Sequence, residues 1–212
     1  MTTSREITTN EEYKARYILE YGVEKTAQAL TTMLGHEVSP VRVNLEKYET
    51  WLAQGLGHKR DIKDHVVMLK TELVGGVTGI NYFLLTKEEM KLIGSECLTD
   101  EMTDGNRAIL IEFLKEIENV LAAATISEMA DKLRVDLYGD VPKIQAVYAT
   151  EVEQVISREA ALLNPILVLH CQMHIPKLGM SPDFLWLFNS SLFEVLEQIE
   201  EFEILENAPV EK

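Results

Sequence analysis

The chain has 212 residues, 46% of them hydrophobic and 26% charged, enough to bury one large core or two small ones and too apolar for disorder throughout. Its formal charge of −15, with no cluster of Lys or Arg, argues against a polyphosphate backbone as partner and so against nucleic acid. The two cysteines, Cys97 and Cys171, are too few for a disulfide framework. Residues 1–9 lack the apolar core of a signal peptide, and no apolar run approaches the roughly 18 residues a bilayer requires. A soluble, cytoplasmic protein is the expectation.

The first long helical pattern spans 10–35: Asn10 suits an N-cap, Glu11 and Glu12 suit the positive end of the helix dipole, and Gly35 is a stop. A mixed stretch with Trp51 and the segment GLGHKR follows. Residues 66–73 and 79–85 read as strands joined by the turn-forming pair Gly75 and Gly76, hence a hairpin. A short helix is expected over 87–93. Residues 98–106 are polar and break the pattern, which places a linker near 100–105. A second long helix then covers 107–134.

The rest repeats the first part: after the long helix come an extended segment, strands at 166–175 and 184–188, and a short helix at 191–202. Sliding the chain by roughly one hundred residues sets Leu30 against Met129, Leu34 against Leu133, Met68 and Leu69 against Val168 and Leu169, and Tyr82 against Trp186. One domain of two similar halves, about 1–103 and 104–212, is the expected organisation. The acidic stretch 200–212 reads as a frayed, solvated end.

On the second long helix, Leu110, Phe113, Leu114, Ile117, Val120, Leu121 and Ala124 fall in one arc, the expected core face. Opposite them Glu112, Glu116, Asn119 and Ala123 line up within roughly 60° of one another, with Ser127 at the border. A Glu and an Asn three apart on a helix present a carboxylate and an amide side by side from a rigid element. The small residues Ala122, Ala123, Ala124 and Ser127 would admit a partner's surface close to the helix.

The arrangement Glu112-x3-Glu116-x2-Asn119-x22-Pro142 resembles the signature of the CheC/CheX/FliY phosphatases, in which an Asp or Ser, a Glu, an Asn and a Pro stand at these spacings. Three of the four positions match to the residue, and the surrounding KEIENVLAAA resembles the family's helix. Glu112 replaces the usual Asp or Ser. Glu118 stands where a Gly usually precedes the Asn and is expected to add a charge beside the site. In the first half, aligning the end of the helix puts Tyr17 at the Glu position, Glu20 at the Asn position and Val43 at the Pro position, so that site is expected to be dead.

The resemblance implies an α+β fold, a duplicated pseudo-two-fold unit with two long helices packed on an antiparallel sheet. It also implies hydrolysis of the aspartyl phosphate of a response-regulator receiver domain, in chemotaxis or another two-component pathway. Asn119 would orient the attacking water and Glu116 would pair with the receiver's active-site Lys; Glu112, Glu118, Ala123 and Pro142 complete the expected binding residues. The Mg2+ of the reaction would sit in the receiver's acidic pocket, and no metal ligands are expected on this chain. The other reading is a non-catalytic module that binds a receiver domain or a CheD-like partner, and a homodimer is compatible with either.

Elsewhere the residues have simpler readings. His170 and His174 share a strand face with Gln172, but a four-residue step along a strand is too long for easy joint chelation. Cys97 and Cys171 read as small core hydrophobes, Phe184, Trp186 and Phe188 as alternating core residues, and no phosphate-binding loop or nucleophile elbow is present.

Overall fold

The computed structural model describes residues 7–56, 64–98 and 107–199. The expected linker at 100–105, most of the GLGHKR segment and the acidic end at 200–212 lie outside the described residues. Helix α1 (Thr9–Leu34) begins slightly earlier than expected because Thr8, not Asn10, caps it. The Glu11 N–H donates to the Thr8 hydroxyl at 3.3 Å and the Thr8 N–H donates to the Glu11 carboxylate at 2.8 Å, a reciprocal capping box. The helix stops at Gly35, whose φ of 68° is a left-handed conformation that favours glycine.

There follow β1 (Ser39–Lys47), α2 (Tyr48–Gln54), the hairpin β2 (His65–Gly75) and β3 (Gly79–Thr86), and α3 (Lys87–Cys97). The second half runs α4 (Arg107–Leu133), β4 (Leu137–Gly139), β5 (Lys143–Tyr148), α5 (Val152–Ala160), β6 (Leu167–His174), β7 (Asp183–Phe188) and α6 (Ser191–Glu197).

Among the described residues one antiparallel sheet holds all seven strands, in the order β1-β6-β7-β3-β2, with β4 and β5 both on the outer side of β2. The hairpin of each half meets the other at β3 and β7. The strands that precede each hairpin cross over, so that β1 pairs with β6, and β4 and β5 pair with β2. Neither half closes a sheet from its own strands.

The two long helices pack against each other on one face of this sheet, as expected. The alignment that sets Tyr17 against Glu116 also sets Thr26 against Thr125, and these two hydroxyls meet at 2.7 Å in the buried helix crossing. The Thr26 hydroxyl also lies 3.0 Å from the Gly22 carbonyl oxygen and 3.2 Å from that of Leu121. A Cβ on Gly22 would stand 3.0 Å from the Thr125 methyl, so the missing side chain lets the helices approach this closely.

The other face of the sheet carries a layer that periodicity did not reveal. Helices α2 and α5 cover it, burying Trp51, Val152 and Ile156 against Val66, Met68, Tyr82, Leu84, Val168, Leu185 and Leu187. All six residues of β7 are consequently buried, with Phe184, Trp186 and Phe188 toward the long helices and Leu185 and Leu187 toward α2 and α5. Tyr82 and Trp186 therefore do not occupy equivalent places, since they lie on opposite faces of the sheet. Among the described residues no helix is long and apolar enough to cross a membrane.

Candidate functional site

Two surfaces bury α4, the sheet beneath it and α1 beside it. Its inner face is therefore wider than the expected arc, comprising Leu114, Ile117, Glu118, Leu121, Ala122, Thr125, Ile126, Met129 and Leu133. Leu110, Phe113, Val120 and Ala124 are only half-buried, and Ala122 is part of the core rather than of a surface open to a partner. Glu112, Glu116, Asn119, Ala123 and Ser127 are exposed, as their spacing predicts.

Beside this stripe the chain leaves β4 and turns into β5. The turn forms a lip, and an open groove runs between helix and lip, lined by Glu112, Lys115, Glu116, Asn119, Gly139, Asp140, Val141 and Pro142. Pro142 is buried at the base of the lip while Val141 is 74% exposed at its rim. Residues 23 positions apart in sequence, Asn119 and Pro142, thus face one groove. The lip is pinned to β2, because the Asp140 N–H donates to the Glu72 carbonyl oxygen at 2.8 Å and Lys143 reaches the Glu72 carboxylate at 3.1 Å. Glu112 is engaged by Lys115 at 2.8 Å. The side chains of Glu116 and Asn119 have no hydrogen-bond partner among the described residues, so both are free to meet another molecule.

No protein-family model matches the chain, and no curated protein matches it. Solved structures do. FliY from Thermotoga maritima has a TM-score of 0.60 at 17% identity, over 92% of this chain and 97% of that one. CheX from Borrelia burgdorferi, solved in complex with CheY, BeF3 and Mg2+, has a TM-score of 0.53 at 15% identity, over 81% and 97% of the two chains. The FliM middle domain from H. pylori has a TM-score of 0.53 at 10% identity, over 89% and 99%. This chain has the fold of the CheX and FliY proteins.

Within this CheX/FliY fold the place equivalent to the groove, beside α1, is built differently. Tyr13 is half exposed at the position of Glu112, and Tyr17 is half-buried at the position of Glu116. Arg16 lines an open space there with Val43 and Leu45 and is itself engaged: it pairs with Glu20 at 3.1 Å and with Glu12 at 3.9 Å and donates to the Leu45 carbonyl oxygen at 3.4 Å. Glu20, at the position of Asn119, is thus engaged within its own helix, and Val43, at the position of Pro142, is half-buried beside Arg16.

Glu118 requires a correction. It adds no charge to the groove and faces no partner: it is fully buried on the inner side of α4, where the Thr71 hydroxyl of β2 donates to it at 2.9 Å. Burial pushes its carboxyl up from an ordinary value of 4.5 to about 8, the Thr71 hydrogen bond opposing only in part, so the neutral acid prevails at pH 7. Its place in the helical arithmetic, next to Ile117 and one turn from Leu114 and Leu121, is the sequence signal for this burial, an uncommon one because a charged residue is rarely fully buried. The two histidines noted on β6 are satisfied locally, His170 by Asp183 at 2.9 Å and His174 by Ser181 at 2.9 Å. Cys171 is buried, and burial, more than the nearby acids, raises its thiol well out of the reactive range.

Proposed function

We propose that the chain is a phosphatase for the aspartyl phosphate of a CheY-like receiver domain. The observation that carries this reading is the groove, in which an unengaged carboxylate and an unengaged amide, Glu116 and Asn119, project from a rigid helix toward a lip ending in Pro142. The CheX neighbour solved with CheY supports a receiver domain as the partner for such a surface.

An acyl phosphate needs little covalent assistance, only a water held in line and stabilisation of the departing phosphoryl group. The Asn119 amide can accept from a water and donate to it or to a phosphoryl oxygen, which suits it to orient the nucleophile. The water oxygen bonds to phosphorus, the bond from phosphorus to the aspartyl oxygen breaks, the aspartate leaves as carboxylate, and the water proton passes to solvent or to the phosphate formed. Glu116 pairs with the receiver's Lys and sets the register of the complex. Mg2+ would be held by the receiver's own carboxylates and would supply charge stabilisation, so this chain's residues are left to bind and orient.

The second reading, a receiver-binding module without catalysis, draws on the likeness to a FliM middle domain, whose TM-score of 0.53 equals that of the CheX structure, since the fold alone does not separate the two. A time course of phosphorylated CheY-like receiver with and without the protein decides between them. Faster loss of phosphate is expected; tight binding to the receiver with unchanged decay would establish the module instead.

A further inference from the structure

Glu118 lies directly behind the groove. Its neighbours in the chain, Ile117 and Asn119, point to the core and to the groove respectively, and Glu118 points into the sheet. The residue it meets, Thr71, occupies the stretch of β2 from which the lip hangs: Lys70 pairs with Lys143, Glu72 holds the Asp140 N–H, and Leu73 pairs with Gly139. Gly139 itself lies against Thr71, where a Cβ on the glycine would come within 3.2 Å of the Thr71 methyl. The hydrogen bond between Thr71 and Glu118 thus joins the two walls of the groove from beneath.

The joint is costly. The second carboxyl oxygen of Glu118 is buried with no hydrogen-bond partner, a condition that weakens a fold relative to an apolar filling of the same volume. The other half shows that the fold does not need it. The alignment that pairs Thr26 with Thr125 puts Leu19 at the place of Glu118, and the strand alignment of Leu69 with Leu169 puts Cys171 at the place of Thr71; both are fully buried and neither is charged. A polar joint stands beneath the groove that carries Glu116 and Asn119, and an apolar pair stands at the equivalent place on the side where Arg16 engages Glu20.

We propose that Glu118 is a positioning residue of the groove, holding the turn of α4 that bears Glu116 and Asn119 at a set height above the lip through its hydrogen bond with Thr71. The inference rests on the phosphatase reading and adds to it a residue that touches neither the receiver nor the water. Replacing Glu118 by Leu, the residue of the other half, removes the joint without opening a cavity. Since displacements of about 1 Å at a reacting centre cost on the order of 100-fold in rate, kcat for decay of phosphorylated receiver is expected to fall about tenfold or more, with a smaller change in KM.

Four proteins are compared with wild type: Glu118→Leu, Glu118→Gln, Thr71→Val, and the double variant Glu118→Leu with Thr71→Val. The Gln amide oxygen can still accept from Thr71, so Glu118→Gln is expected to keep kcat within about threefold of wild type. Thr71→Val is expected to lose as much as Glu118→Leu, and the double variant no more than either, because both substitutions remove one interaction. Thermal melts of Glu118→Leu are expected at or above wild type, which separates lost positioning from lost folding. If that variant melts lower, Thr71→Val, which leaves α4 unaltered, carries the comparison. Wild-type kcat in both Glu118→Leu and Thr71→Val overturns the inference, as does a loss in Glu118→Gln equal to that in Glu118→Leu. Failure of wild type itself to accelerate decay is a different result: it overturns the phosphatase reading and the positioning role together.

Discussion

The surfaces beside α1 and α4 are built on equivalent helices over equivalent strands, yet they end in opposite states. Beside α4 the polar groups that face outward, Glu116 and Asn119, are unengaged, and a buried acid lies beneath them. Beside α1 the outward polar groups neutralise one another, Arg16 bridging Glu12, Glu20 and the Leu45 carbonyl, and the layer beneath is apolar. Two similarly placed helices therefore do not carry similar sites. Helix packing is preserved by any apolar filling of about the right volume, whereas a site needs particular polar groups left open to another molecule.

The comparison breaks most sharply at Glu116. Glu116→Lys sets like charges against the Lys of a bound receiver, at about 3 to 5 kcal/mol for a close repulsive pair, and is expected to abolish the complex. Titration of a receiver held in its phosphorylated state by BeF3 checks this, and unchanged affinity would exclude the contact. Asn119→Ala is expected to slow phosphate loss about 100-fold to 1,000-fold, roughly 3 to 4 kcal/mol, while leaving binding nearly unchanged, because in the proposed mechanism the amide acts on the water in the transition state. Asn119 is exposed and Ala favours a helix interior, so the melt should hold or rise. Decay at the wild-type rate would remove Asn119 from the mechanism.

Stability against pH sharpens the contrast between the buried layers. The folded-state pKa of Glu118, about 8, lies above the ordinary value of 4.5. Its contribution to stability is thus complete below about 4.5, declines as pH rises through the window to about 8, and is lost above it. The advantage of Glu118→Leu over wild type in denaturant titrations is expected to grow across that window by on the order of a few kcal/mol and then level off. A constant difference from pH 5 to 9 would mean that Glu118 does not titrate as a buried acid. The smallest effect is expected at the equivalent position of the other half. Glu20→Ala frees Arg16 from one exposed ion pair, worth no more than about 1 kcal/mol, and should leave phosphatase activity within a few fold. Collapse of activity with an intact fold would mean that both sides take part.

Much of this was legible in residue order. Gly35, the Gly75 and Gly76 turn, and the long apolar periodicities located both helices and both hairpins to within a few residues. Helical spacing puts Glu112, Glu116, Asn119 and Ala123 on an open stripe, whereas Pro142 is singled out only by the resemblance, and the structure sets it in the groove opposite Asn119. Helices α2 and α5, of 7 and 9 residues, escaped because so few turns carry too little periodicity to separate them from extended chain.

Local pattern sufficed wherever a backbone stop or a repeat of apolar residues acts over one or two turns. Three features had a different origin. The exchange of β1 and β5 between halves depends on strand edges far apart in sequence. The meeting of Thr26 with Thr125 depends on how closely Gly22 lets two helices cross. The burial of Glu118 depends on α4 being covered by the sheet and by α1 at once, so that a side chain a single helix would turn to water instead reaches Thr71. In each case the deciding partner comes from another element, and only packing brings it within reach.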